Sequence, residues 1–172
     1  MSSLGFGQVN FSTGGVAPSS TYLQSLYSSS TPVVFTPSFR GLGLPAGAWN
    51  TFANSMEILT KGSFDCTTTS VDGSSMGYCL AYTGCGGFTN VWSYAFQANF
   101  AGNTNYINVP LSTFAFDYID ESSGAEYCQI FVEYLDPTKP QSNNVIFGAM
   151  FFQSFLGVFT INQKVSPVTT SL

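Results

Sequence analysis

The chain has 172 residues, 44% of them hydrophobic, which is enough for one packed core and short for two. Only 8% are charged: four basic side chains (Arg40, Lys61, Lys139, Lys164) against nine acidic ones, with no His and a net charge of -5. This balance excludes nucleic acid, which needs clustered Lys and Arg, and the missing His removes Ser-His-Asp, Cys-His and His-ligated zinc chemistry.

Aromatic residues make up 16% of the chain beside 17 Gly, which favours short strands joined by turns. Leu4 to Ser12 alternates into Gly14-Gly15, and Tyr22 to Ser28 follows as a second strand. Residues 1-30 therefore read as an N-terminal hairpin or arm. Asn10-Phe11-Ser12 is the one glycosylation sequon, with Asn10 as candidate acceptor. Residues 1-15 lack the basic and apolar regions of a signal peptide, so an exported form would be a mature one. Thr31 to Phe35 is a short apolar strand that must stop or bend at Pro37. From Pro45, which suits a first helical position, Trp49, Phe52, Met56 and Leu59 recur at helical spacing before Gly62, and their simplest role is the core face of a helix.

Asp65 to Gly87, rich in Thr, Ser, Gly and Cys, reads as a surface excursion or a pair of short strands. Val91 to Phe100 alternates and predicts a half-buried strand, with a turn at Gly102-Asn103-Thr104-Asn105. Tyr106 to Pro110 and Leu111 to Tyr118 continue the sheet; Tyr127 to Tyr134, Val145 to Phe147 and Phe155 to Asn162 are the remaining strands, and residues 163-172 form a tail. The most apolar stretch, Val145 to Ile161, is broken by Gly148, Gln153, Ser154 and Gly157, so no membrane span is expected. An even set of four cysteines, Cys66, Cys79, Cys85 and Cys128, points to two disulfides and an oxidising, secreted or cell-surface setting. Spacing alone leaves their connectivity open, and nothing in the sequence calls for a cofactor or a metal.

Two segments stand out together: Pro32-Val33-Val34-Phe35-Thr36-Pro37-Ser38-Phe39-Arg40-Gly41-Leu42-Gly43-Leu44-Pro45 and Asn144-Val145-Ile146-Phe147-Gly148-Ala149. With Trp92 to Phe96, Tyr106-Ile107-Asn108-Val109-Pro110 and Phe151 through Val158-Phe159-Thr160 in the same order, the chain resembles the C-terminal lobe of a pepsin-like aspartic protease. The resemblance implies a mainly β fold: one lobe over residues 1-172, of distorted, barrel-like packed sheets with one or two short helices. It also implies Cys85 with Cys128 and Cys66 with Cys79, although Cys79–Cys85 with Cys66–Cys128 stays open at this point.

The departures bear on function. Phe35-Thr36-Pro37-Ser38 stands in the slot of the family's Asp-Thr-Gly-Thr/Ser, so the carboxylate is replaced by Phe35 and the loop Gly by Pro37. In the second loop, Ile146-Phe147-Gly148-Ala149, Ala149 stands where the family usually has an Asp. The expectation is a catalytically inactive lobe with no catalytic residue of its own. It would act as a secreted structural, self-assembling subunit of a filament, coat or matrix. Its partners would be copies of itself or a complementary N-terminal lobe, joined through strand edges and termini, with Ser2 to Phe11 or Val165 to Leu172 as strand donor. The alternatives are one chain of a processed two-chain protease, or a noncatalytic module that holds peptide in its aromatic cleft.

Overall fold

The computed structural model describes residues 1–9, 20–27, 31–71, 74–100 and 106–154. The Gly14-Gly15 turn, Asn10, the turn at 102–105, the strand over 155–162 and the tail from 163 lie outside the described residues. In chain order the elements are β1 (Ser3–Val9), β2 (Ser20–Tyr27), β3 (Val33–Phe35), β4 (Leu42–Pro45), α1 (Ala46–Thr60), β5 (Asp65–Val71), β6 (Ser74–Ala81), β7 (Tyr94–Asn99) and β8 (Tyr106–Pro110). They continue with β9 (Ala115–Ile119), β10 (Glu126–Ile130), β11 (Val132–Leu135), β12 (Val145–Phe147) and α2 (Ala149–Ser154). The described residues are thus mainly β, in three four-stranded sheets ordered β2-β1-β7-β8, β5-β6-β10-β9 and β11-β4-β12-β3.

The helix forms where the periodicity predicts it. Pro45, in extended backbone at the end of β4, takes the N-cap rather than the first helical position, and Lys61 with Gly62 at positive φ ends the helix. Trp49, Phe52 and Met56 are buried on its inner face. Phe52 meets Phe6 of β1 and Phe96 of β7 at centroid distances of 5.0 and 5.4 Å, and Phe96 meets Phe114 at 5.8 Å. This aromatic cluster ties the first sheet to the helix, each pair adding about 0.5–1.5 kcal/mol beyond burial.

Several expectations are corrected. Residues 3–9 cannot serve as a free donor strand, because β1 is already paired on both sides, with β2 and β7. Val91–Ser93 is a 3-10 turn, and Ala95, Phe96, Gln97 and Ala98 of β7 are all buried, so this inner strand is covered on both faces rather than half-buried. Leu111–Phe114 is also a 3-10 turn, started after Pro110, that drops Leu111 and Phe114 into the core before β9 joins a different sheet. Tyr127 to Tyr134 divides into two strands of two sheets at Phe131, whose N–H reaches the Phe114 carbonyl at 2.8 Å while its own carbonyl accepts from Leu42 at 2.9 Å. Phe151, expected in an aromatic strand, lies in α2.

Candidate functional site

The third sheet brings together the two segments that the sequence singles out. β12 runs parallel to β3, pairing Phe147 with Phe35, and antiparallel to β4, pairing Phe147 with Leu42. Past the strand ends, the Thr36 N–H donates to the Phe147 carbonyl (3.0 Å) and the Gly148 N–H to Gly41 (2.7 Å). The Ala149 N–H donates to Phe39 (2.7 Å) and the Met150 N–H to Arg40 (2.9 Å). Residues 36–41 and 147–150 are therefore laced into one frame. Gly148 allows this closeness, since a Cβ there would lie 2.3 Å from the Phe39 carbonyl oxygen; Gly41 lets the frame pack on Phe131, whose carbonyl oxygen a Cβ would meet at 1.8 Å.

Phe35 floors the frame. Its ring stacks on Phe147 (5.4 Å, 17° between planes) and meets Phe100, Phe151 and Phe152 at 5.9, 5.7 and 6.3 Å. Above it the loop is closed by its own hydroxyls, with Thr36 Oγ1 2.7 Å from Ser38 Oγ and the Ser38 N–H donating to Thr36 Oγ1 at 3.3 Å. An open groove of about 460 Å³ lies between Pro37, Ala149, Phe152 and Gln153. Arg40 is the sole charged residue in 31–41 and 144–154. Its guanidinium faces away onto Phe131 (3.9 Å) and Phe116 (5.2 Å). Residues 36–41 and 147–150 supply hydroxyls and apolar surface and include no carboxylate.

The disulfides are Cys66–Cys79, between paired positions of β5 and β6, and Cys85–Cys128, which pins the 3-10 turn at Cys85–Gly87 to β10. Cys85, Asp117 and Cys128 lie together, but both sulfurs are spent in the bridge, and Asp117 instead accepts the Cys85 N–H. Burial pushes the Glu133 carboxyl up, opposed by the positive charge of Arg40. No helix of the described residues is long and apolar enough to cross a membrane. No family model, curated protein or solved structure matches the chain.

The turn between β9 and β10 is built on one carboxylate. The Ser122 hydroxyl, the Ser123 N–H and the Ser123 hydroxyl all donate to Asp120 Oδ1, and Gly124 completes the turn at a φ of 70°. These bonds favour the ionised form and lower the Asp120 pKa from 3.8 to about 2. A folded pKa below the unfolded one contributes stability that is full above the unfolded value and lost as pH falls through the folded one. Asp120 should thus titrate near pH 2 by its carboxyl carbon NMR shift, and Asp120→Asn should flatten the pH dependence of stability between pH 4 and 2. A midpoint near 3.8 would mean that the turn bonds are not kept in solution.

Sequence reasoning missed β4 and the place of β9 at the edge of its sheet among the described residues. The signal for β9 was there: Phe116-Asp117-Tyr118-Ile119 alternates immediately before an Asp-Glu-Ser-Ser-Gly turn.

Proposed function

We propose that this chain is a noncatalytic lobe of pepsin-like design, exported to an oxidising compartment, that assembles as a structural subunit with copies of itself. The observation that carries this reading is the frame: two loops laced by four backbone bonds, floored by Phe35 and its ring neighbours, faced by an apolar groove and free of any acid. The parallel β3–β12 and antiparallel β4–β12 pairing supports the likeness to an aspartic-protease lobe, where two such loops face a partner lobe. The two disulfides support an oxidising setting. Phe35 supports loss of chemistry, because a ring packed among four others fills the place where a carboxylate would need water and a proton partner.

The native mass of the purified chain, followed with concentration, tests the reading. The expected result is a multiple of the chain mass that falls toward one chain when Pro37→Glu sets a charge at the mouth of the groove. Pro37 is exposed, so that variant should leave the melting curve unchanged. A monomer at every concentration would overturn assembly with copies; a second polypeptide in the native particle would make the partner a complementary lobe. Pepstatin-sensitive peptide hydrolysis by the isolated chain would overturn the noncatalytic part.

A further inference from the structure

Among the described residues β9 is an edge strand of the disulfide sheet, and its residues 116–119 are all exposed. The ladder to β10 fixes which of its main-chain groups are used. The Phe131 N–H to Phe114 and Asp120 N–H to Ala125 bonds bracket it, and the register pairs Phe116 with Gln129 and Tyr118 with Tyr127. Hydrogen-bonded positions alternate along an antiparallel pair. Phe116 and Tyr118 therefore turn their N–H and C=O toward β10, whereas those of Asp117 and Ile119 turn outward. Among the described residues, no main-chain group meets them.

The side chains around this edge have a consistent chemistry. On one face Phe116 and Tyr118 are 45% and 37% exposed, and Tyr118 stacks on Tyr127 at 5.0 Å, which in turn meets Tyr82 at 5.6 Å. That aromatic row runs across β9 and β10 to the residue just past the end of β6. The same face already shows what its rings accept, since the Arg40 guanidinium lies over Phe131 and Phe116. Asp117 and Glu126 come from the other set of positions, with Asp120 and Glu121 at the end of the strand. Four of the nine acidic residues thus fall within 117–126, a stretch without Lys or Arg. A strand laid along β9 would meet rings on one side and carboxylates on the other, and both favour cations.

We propose that β9 takes an extended Lys- or Arg-bearing segment of a partner polypeptide as a fifth strand of the disulfide sheet. Its main chain pairs with Asp117 and Ile119, and its cationic side chains lie over Tyr118 on one face and against Asp117 and Glu126 on the other. Charge complementarity favours this occupant over a second copy: β9 paired with itself brings the four carboxylates of 117–126 of each chain alongside one another, with two aspartates directly opposite in the register centred on Asp117, between chains of net charge -5. The site uses residues different from those of the frame's groove and does not rest on the assembly proposed there.

The test uses the whole chain and three fluorescein-labelled octapeptides of alternating sequence: Lys-Val, Glu-Val, and Lys-Val N-methylated at alternate residues so that strand pairing is blocked. The expected result is saturable binding of Lys-Val alone, weakened about tenfold in 0.5 M salt, as charge-driven contacts are. Ile119→Lys, at a side chain 62% exposed, should weaken it at least as much by placing a charge on the edge. Should that variant fold poorly, Glu121→Gln with Glu126→Gln, both exposed, serves instead and should weaken binding several-fold. Equal binding of Lys-Val and Glu-Val, or undiminished binding of the N-methylated peptide, would overturn the proposal. So would a native mass that falls in Ile119→Lys, which would assign the edge to a second copy. Loss of assembly in Pro37→Glu with peptide binding intact would separate the two surfaces.

Discussion

Gly41→Ala and Gly148→Ala are expected to unfold the frame, with a loss of about 3–6 kcal/mol each. Neither glycine has a positive φ, so the effect does not come from backbone freedom. It comes from what a methyl group would strike. At Gly41 a Cβ would lie 1.8 Å from the Phe131 carbonyl oxygen, the acceptor of the Leu42 N–H. At Gly148 it would lie 2.3 and 2.7 Å from the carbonyl oxygens of Phe39 and Gly41, the acceptors of the Ala149 and Gly148 N–H groups. Backbone cannot retreat from these contacts as the tip of a flexible side chain can, so relief means breaking two bonds in each case, Leu42 to Phe131 and Gly148 to Gly41 when Gly41 moves, Ala149 to Phe39 and Gly148 to Gly41 when Gly148 moves, each leaving a buried group at about 1–3 kcal/mol. Against a typical total of about 5–15 kcal/mol, this is a large part of the fold's stability. Thermal melts should show a fall of about 10–20 °C for a chain of this size. Gly47→Ala is the control: nothing lies within 4 Å of its Cβ and it sits on the exposed side of α1, so it should be neutral or gain up to about 1 kcal/mol. If all three variants melted alike, the two loops would not be laced in solution as described.

The frame was half legible in the sequence. Pro37 and Pro45 punctuate the first segment and mark where a strand stops and a helix follows, and the short Val145-Ile146-Phe147 run is bounded by Asn144 and Gly148. That is local information. What the residues could not show is that β4 lies between them, because Leu42-Gly43-Leu44-Pro45 is too short to display a period and is buried throughout. Its strand character comes from its partners, β11 and β12, which lie about 90 and 100 residues on. The division of 127–134 between two sheets has the same origin. Phe131 turns the chain because Leu42 and Phe114 claim its carbonyl and N–H, and no composition at 127–134 announces this.

Alternation misled where burial is two-sided. Val91 to Phe100 alternates by residue type, yet Ala95 and Gln97 are as buried as Phe96 and Ala98. A small residue and an amide paired across the sheet, Gln97 Nε2 to Asn108 Oδ1 at 3.2 Å, look like solvent-facing positions in a pattern and behave as interior ones in the fold. The same pattern at β9 means the opposite: Phe116 and Tyr118 look like a core face and are exposed. Which face of a strand meets water depends on what the rest of the chain lays against it, and that contact is long-range.

Removing the Cys85–Cys128 bridge is expected to cost more than removing Cys66–Cys79, and the order tests how the disulfide sheet is held. The chain-entropy account gives about 4 kcal/mol for the first, which closes a separation of 43 residues, and about 3 kcal/mol for the second, at 13. Two further facts widen the gap. Cys66 and Cys79 already face each other in the β5–β6 hairpin, whose ladder runs from Asp65 with Leu80 to Val71 with Ser74, so the hairpin limits the unfolding that the bridge would otherwise oppose. Cys85 lies outside any strand; its bridge, with the Asp117 acceptor for its N–H, is what joins the 3-10 turn to β10 and β9. In urea melts, Cys85→Ala with Cys128→Ala should therefore lose about 3–5 kcal/mol and expose the buried Ile130 and Phe114 side of β10, whereas Cys66→Ala with Cys79→Ala should lose about 1–3 kcal/mol. A reversed order would mean that β5–β6 depends on its bridge more than on its ladder. The edge at β9 would then be anchored by β10 pairing alone, and peptide binding there should survive loss of Cys85–Cys128 while the fold weakens around it.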